Sequence, residues 1–434
     1  MEDLAALYAR FRECASVSTD SRQEQPGTLF FALNGPTFRG ATFAPQALAK
    51  GARYAVTDDA AQAAHDPEHY AYSPDPLHTL QALARYHRRQ LIMPVLGITG
   101  SNGKTTTKEL VHAVLSRRFR VQYTRGNLNN HIGVPLTLLS IRPGEHDIAI
   151  IEMGANHQGE IALLSSIAEP THGLITNIGK AHLEGFGGVE GIAKGKGELF
   201  QFLAAADGTA FVNTLDPRLP GLSAPVTHRI TFPGPTDTYP ATLLSAAPHL
   251  VLTLHDGTLA EAQITGDYNF PNLAAAAAVG AHFGVATADI AAALASYDPQ
   301  NNRSQLVSTG RNDVVLDAYN ANPSSMAAAL RSFATRPGAD SAAKVAVLGD
   351  MFELGEESAD EHYALGTLLT SLSLGTVVLI GHEMAAAAAV NPVFRYFATK
   401  PEAAEWLQRQ HLQGRQILIK GSRGMGLETL LELL

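Results

Sequence analysis

The chain has one cysteine, Cys14, and one tryptophan in 434 residues. A single thiol excludes an internal disulfide framework and any cysteine-rich zinc or iron–sulfur site. Charge is also sparse: Asp, Glu, Lys and Arg together make 17% of the chain, with a net charge of −9. That acidic balance argues against a broad basic surface, so neither nucleic acid nor an anionic membrane is expected as a partner. The alanine-rich runs at 273–281 and 385–390 fall far short of the ~20 apolar residues of a membrane span. Met1 to Asp20 is interrupted by Glu2, Asp3, Arg10, Arg12 and Glu13, which is not the pattern of a signal peptide. A soluble, cytoplasmic, monomeric protein is expected.

The length points to two or three domains. Short apolar runs alternate with helical stretches nearly throughout, the pattern of parallel α/β sheets. A helix around Leu77–Arg89 ends a first segment, and the pattern restarts with a strand at Val95–Thr99. Further strands are expected at Asp147–Glu152, Gly173–Asn177 and Thr209–Asn213, a hairpin at His249–Ile264, and one long alanine-rich helix over about 270–295. The polar stretch Asp298–Ser304 suits a linker. Strands at Val314–Asp317, Val345–Gly349, Val377–Ile380 and Gln416–Ile419 then alternate with helices in a Rossmann-like pattern. The expectation is α/β with three domains, at 1–92, 93–305 and 306–434.

The most informative segment is Gly97-Ile98-Thr99-Gly100-Ser101-Asn102-Gly103-Lys104-Thr105-Thr106, between an apolar strand and a helix over Thr106–Arg117. Gly100 and Gly103 let backbone amides approach phosphate oxygens, and the helix N-terminus adds partial positive charge. Lys104 suits the β- and γ-phosphates, and the Thr105 hydroxyl suits Mg2+. The glycine at 100 rather than 98 departs from the usual spacing, and an incidental lysine in a strand-to-helix turn is the bland alternative. Glu152 and His182 follow consecutive strands, where parallel sheets deliver site residues. Each alone is as readily a solvated strand end or a structural histidine.

The Gly100–Thr105 loop, Glu152-Met153-Gly154-Ala155-Asn156 and Asn177-Ile178-Gly179-Lys180-Ala181-His182 resemble the Mur ligases, ATP-dependent amide-forming enzymes of peptidoglycan precursor synthesis. Tyr319–Met326, Lys420-Gly421-Ser422-Arg423, Leu348–Met351 and Gly126–Asn130 resemble the branch that joins D-alanyl-D-alanine to a UDP-N-acetylmuramoyl-tripeptide. The resemblance spans all three domains and implies roles for particular residues. Thr19, Asp20, Ser21 and Arg22, with Asn127, Asn129 and Asn130, would serve the UDP substrate. ATP would meet Gly100, Ser101, Asn102, Gly103, Lys104, Thr105 and Thr106, with Asn269 and Asn272 at adenine, Arg303 on the phosphates and Asp317 at the ribose. Thr105, Glu152 and His182 would bind Mg2+, joined by Lys196 as a carbamylated lysine. Asn320 and Asn322 would face the dipeptide, with Lys420 and Arg423 as carboxylate partners. The chain departs from the family at Arg39-Gly40-Ala41, where Asp-Gly-His is usual, and at His131, where Glu is common.

These residues suit phosphoryl transfer to a carboxylate followed by amine attack, with Lys104, Arg303 and Mg2+ offsetting charge. The competing readings are a diaminopimelate-adding or folylpolyglutamate-type ligase and a non-catalytic nucleotide switch. Tyr319–Pro323 replaces the Asp-Asn-Pro-Arg expected of the first, and 92 residues precede the P-loop domain, unlike the second. Lys104, Glu152 and His182 are all present, against the third. Three sites converging on one reaction predict domain closure, with hinges near 92/93 and 300–306.

Overall fold

The computed structural model describes residues 3–299 and 302–434, so Met1 and Glu2 of the N-terminal segment and Gln300 and Asn301 of the expected linker lie outside the described residues. Three α/β units follow one another. In the first, four short parallel strands pair in chain order, Ser16–Ser18, Thr28–Phe31, Tyr54–Thr57 and Tyr70–Tyr72. Its last helix, Pro76–Arg88, is capped by Asp75, whose carboxylate accepts from the His78 amide, with Pro76 in the first turn. That helix touches the strand Thr28–Phe31 and the helix Leu4–Arg12 of its own unit, and packs more extensively against the helices Gly133–Leu139 and Glu160–Ala168 of the next.

The central sheet has six parallel strands in the spatial order His228–Phe232, Thr209–Asn213, His172–Ile175, Val95–Thr99, Ile148–Glu152, Val121–Tyr123. Val95–Thr99 and Ile148–Glu152 are buried at every residue, which explains their unbroken apolar runs. His172–Ile175 sends the chain on to Thr209–Asn213, whereas its neighbour Val95–Thr99, the first strand of this sheet though inside it, sends the chain the other way to Val121–Tyr123. The carboxyl ends of these two neighbours therefore form the switch point at which open α/β sheets bind ligands. A three-stranded antiparallel sheet, Thr242–Ser245, Leu250–Thr253 and Leu259–Ala262, contains the expected hairpin.

One helix expectation is corrected. The alanine-rich stretch forms two helices, Phe270–His282 and Thr287–Ser296. The break is at Gly284, whose φ of +74° is a left-handed turn that glycine adopts without a Cβ penalty. Val285 then donates back to the Gly280 carbonyl at 2.9 Å, closing the first helix. The alanines serve packing: Ala274 to Ala278 are all buried, and a Cβ on Gly280 would come within 2.4 Å of Val114 on the helix Lys104–Leu115. Small residues let these two helices lie close, which fixes the P-loop helix from behind.

The third sheet has the order Gln305–Ser308, Asp313–Asp317, Gln416–Lys420, Lys344–Gly349, Thr376–Ile380, Arg395–Phe397. All its pairs are parallel except the first, an antiparallel edge strand that the sequence pattern did not predict. No helix among the described residues is long and apolar enough to cross a membrane.

Candidate active site

The loop 100–103 turns tightly between the strand Val95–Thr99 and the helix Lys104–Leu115. Gly100 has φ +142°, and a Cβ there would lie 2.0 Å from Thr176 Oγ1. Gly103 has φ +78°, and a Cβ there would lie 2.5 Å from Asn272 Oδ1. Both positions therefore require glycine for conformation and for space. The loop is tied to the next strand's exit: Ser101 Oγ donates to Gly179 O at 3.0 Å, and the Asn102 amide donates to Asn177 Oδ1 at 3.1 Å. Lys104 curls back, its Nζ donating to Gly100 O at 2.6 Å and Ser101 O at 3.2 Å. Burial pushes its amine down to about 8, with Glu152 opposing the shift and Arg303 adding to it.

Glu152 ends the strand Ile148–Glu152 beside the loop. Its Oε1 accepts from Thr105 Oγ1 at 3.1 Å and from Asn129 Nδ2 at 2.9 Å. Its Oε2 accepts no hydrogen bond and lies 3.4 Å from Lys108 Nζ, with both side chains 1% exposed. Lys108 was missed from the sequence, although its place four residues after Lys104 puts the two on one helix face.

The loop residues Ser101 to Thr106, with Asn129 and Glu152, line a cavity of about 440 Å³ closed on its far side by the third unit. Arg303 lays its guanidinium 3.6 Å from the ring centre of Tyr319, and Asp317 pairs with buried Lys420 at 2.6 Å. Asn269 and Asn272 line the same cavity and are bonded to each other at 3.0 Å. Tyr268, also on the wall, was not singled out from the sequence; its hydroxyl meets Ser304 Oγ at 3.0 Å.

A second cavity of about 620 Å³ adjoins the first, sharing Asn129, Tyr319 and Asn320 as walls. Asn127, Asn130 and His131 line it on one side, and Phe352, Glu353 and Arg423 on the other. His182 also faces this cavity, so it sits apart from the Thr105–Glu152 pair in the first. Its Nδ1 is 2.5 Å from Oε2 of Glu353, a residue not singled out from the sequence. Lys196, on the helix Val189–Ala205, is 1% exposed and lines neither cavity. Its Nζ donates to Ala155 O at 2.9 Å and lies 4.8 Å from the Phe186 ring centre. Burial, reinforced by the Lys104 charge, holds its amine well below the usual lysine range.

Three expectations look different in three dimensions. Thr19, Asp20, Ser21 and Arg22 lie on the first sheet's edge and line neither cavity; Asp20 and Arg22 pair with each other at 2.8 Å. Asn322 commits both ends of its amide within the protein. Its Oδ1 caps the helix Pro323–Thr335 by accepting from the Ser325 amide, and its Nδ2 donates to Asn102 Oδ1 at 2.7 Å. The Arg423 guanidinium rests 5.2 Å from the Tyr319 ring centre, while Lys420 is turned inward to Asp317.

Comparison with known proteins agrees with this architecture unit by unit. The Mur ligase family, catalytic domain matches residues 13–93, the Mur ligase middle domain 98–280, and the Mur ligase, glutamate ligase domain 302–423. The UDP-N-acetylmuramoyl-tripeptide--D-alanyl-D-alanine ligase of Bacillus subtilis is 34% identical over 96% of this chain and 92% of its own. The Escherichia coli protein of the same name is 35% identical over 96% and 93%. Among solved structures, MurF from Acinetobacter baumannii superposes with a TM-score of 0.88 at 33% identity, covering 99% of this chain and 97% of that one. MurF ligase from Thermotoga maritima in complex with ADP gives 0.83 at 26% identity, covering 100% and 98%. With three matched domains in order and near-full-length relatives above 30% identity, the chain belongs to the Mur ligase family.

Proposed function

We propose that the protein uses ATP to join the carboxylate of a UDP-N-acetylmuramoyl-tripeptide to the amine of D-alanyl-D-alanine, releasing ADP and phosphate and completing the UDP-linked pentapeptide precursor of peptidoglycan. The observation that carries this reading is the pair of adjoining cavities. One is headed by a P-loop, the other is open to the third unit, and they share Asn129, Tyr319 and Asn320. Nucleotide in the first and acceptor in the second would bring a γ-phosphate and a carboxylate together.

The triphosphate lies along the loop 100–106, and Lys104 leaves its two carbonyl partners for phosphate oxygens. A polyphosphate also reverses the effect of burial, so the amine is fully charged when nucleotide is bound. Arg303, already stacked on Tyr319, adds a second cation. A tripeptide carboxylate oxygen attacks the γ-phosphorus and ADP departs with the bonding electrons, leaving an acyl phosphate. The dipeptide amine then attacks the acyl carbon, loses a proton, and phosphate leaves with its electron pair. Asn269, Asn272 and Asp317 hold the nucleoside end. Asn127, Asn129, Asn130 and Asn320 line the acceptor side, and Thr19 to Arg22 remain the candidates for the distant UDP end. Asn322 acts by clasping the loop at Asn102 rather than by touching the dipeptide.

The donor set fits Mg2+. Oxygen ligands suit a hard cation, and Glu152 offers one buried carboxylate oxygen without a hydrogen bond beside the Thr105 hydroxyl. Thr105 and Glu152 would hold one ion, and His182 with carbamylated Lys196 a second; bound Mg2+ supplies charge neutralisation at the transferring phosphoryl group. Carbamylation needs a neutral amine, and the burial of Lys196 favours that form.

Two measurements test these assignments. Phosphate release from ATP and Mg2+ should require both substrates together; release with neither, either or both alike would defeat the ligase reading. Carbon-13 NMR in labelled bicarbonate should show one carbamate signal that Lys196→Ala removes along with most activity. A signal surviving that substitution would assign the modification elsewhere.

A further inference from the structure

His182 and Glu353 share an unusual backbone. His182 has φ +56° and Glu353 φ +62°, left-handed conformations that non-glycine residues adopt at an energetic cost and that cluster at functional sites. They come from different units: His182 follows the central strand His172–Ile175, and Glu353 follows the third-sheet strand Lys344–Gly349. The two segments press on one another. Leu183 and Leu354 are buried, and a Cβ on Gly355 would lie 3.0 Å from Glu184 Cγ. Both strained turns thus place their side chains at one point, 2.5 Å apart on the wall of the second cavity. The contact has ion-pair distance without hydrogen-bond alignment.

A neutral imidazole carries one N–H and one lone pair, and its partner decides which nitrogen has which. A carboxylate this close to Nδ1 favours the Nδ1–H form by its charge alone, without an aligned hydrogen bond, and leaves the Nε2 lone pair free. We propose that Glu353 is a positioning residue that fixes the ring and tautomer of His182 only while the third unit is docked, making the His182 cation position conditional on domain closure. Docking would thereby complete the site from the second coordination sphere, with no cation ligand supplied by the third unit. The proposal rests on the reading of His182 as a Mg2+ ligand.

Mn2+ affinity, followed by the electron paramagnetic resonance of free Mn2+ with a non-hydrolysable ATP analogue, gives a readout apart from activity. The Glu353 side chain is half exposed, so Glu353→Gln leaves the packing in place. His182→Gln and Glu353→Gln should each weaken the weaker Mn2+ site about tenfold or more. The double variant should be no worse than His182→Gln, and Glu353→Asp should recover part of the loss. KM for ATP should stay within about twofold while kcat falls. Wild-type Mn2+ affinity in Glu353→Gln, with loss in His182→Gln, overturns the positioning role. Wild-type affinity in His182→Gln overturns the metal-ligand reading and this proposal with it. Expansion of Glu353→Gln in small-angle scattering would reduce Glu353 to a docking contact and also overturns it.

Discussion

Glu152 shows how one buried carboxylate is partnered. Thr105 and Asn129 satisfy one oxygen, while the other lies beside the Lys108 ammonium, itself 3.4 Å from Gly126 O and 5.8 Å from the Tyr123 ring centre. Removing one member of a buried pair leaves an uncompensated charge, which costs about 3–5 kcal/mol. Lys108→Met should therefore lower the melting temperature sharply, and adding Glu152→Gln should restore much of the loss. Thermal denaturation of the two single variants and the double checks this; simple additivity would show that the charges do not interact. The sequence makes half of this arrangement legible. Lys104, Thr105 and Lys108 lie within one helical turn and can be read locally. Glu152 reaches them only through the parallel register that sets Ile98 opposite it, and Glu353 reaches His182 across 170 intervening residues.

At the scale of elements, strand periods and turn glycines were readable because each depends on near neighbours, and the four core strands of the third sheet follow from their apolar runs. The antiparallel edge Gln305–Ser308 was not, since its pattern is short and half-buried. The alanine run shows the same limit: composition says helix, and only the conformation at Gly284 says two. Where the first of those helices ends, His282 and Phe283 meet His172 at the start of its strand, with ring centres 5.4 and 5.0 Å from the His172 ring. Burial, with a smaller push from His282, lowers the His172 imidazole to about 4, and burial lowers His282 too. The sign follows from proton binding. Between about 4 and the usual 6.5 the unfolded chain holds more protons, so stability is complete above that window and lost as pH falls through it. The loss is at most about 3 kcal/mol for His172. His172→Gln should flatten this limb: its urea midpoint should fall less than the wild type's between pH 7.5 and 5. Equal falls in both proteins would place the acid sensitivity elsewhere.

Across the whole molecule, the two junctions between units are built differently. The first is a shared core: the helix Pro76–Arg88 packs on two central helices, and nearly buried Arg88 donates to Ala168 O, Glu169 O and Leu91 O. Arg85 and Arg89 both pair with Glu169 at 2.8 Å. The second junction has an apolar contact where buried Leu183 and Leu354 meet, and otherwise relies on polar reaches: Asn322 to Asn102, the Lys180 amide to Ser324 Oγ at 2.8 Å, Lys180 Nζ to Glu361, and His182 to Glu353. Units joined by small polar interfaces move relative to one another, whereas a large apolar interface holds them fixed. Closure should therefore be carried by the third unit, with little bending near 92/93, one of the two hinges expected from the sequence. Spin or fluorescent labels can separate these motions in the intact protein. A pair joining the first and central units should keep its distance when an ATP analogue and acceptor are added. A pair joining the central and third units should shorten and narrow its distribution. Lys180→Ala with Ser324→Ala should broaden that second distribution and raise KM for ATP several-fold, because the wall of Arg303, Asp317 and Tyr319 closes the nucleotide cavity only when docked. If the first pair moved as far as the second, the shared core at Arg88 would not be the rigid joint that its packing implies.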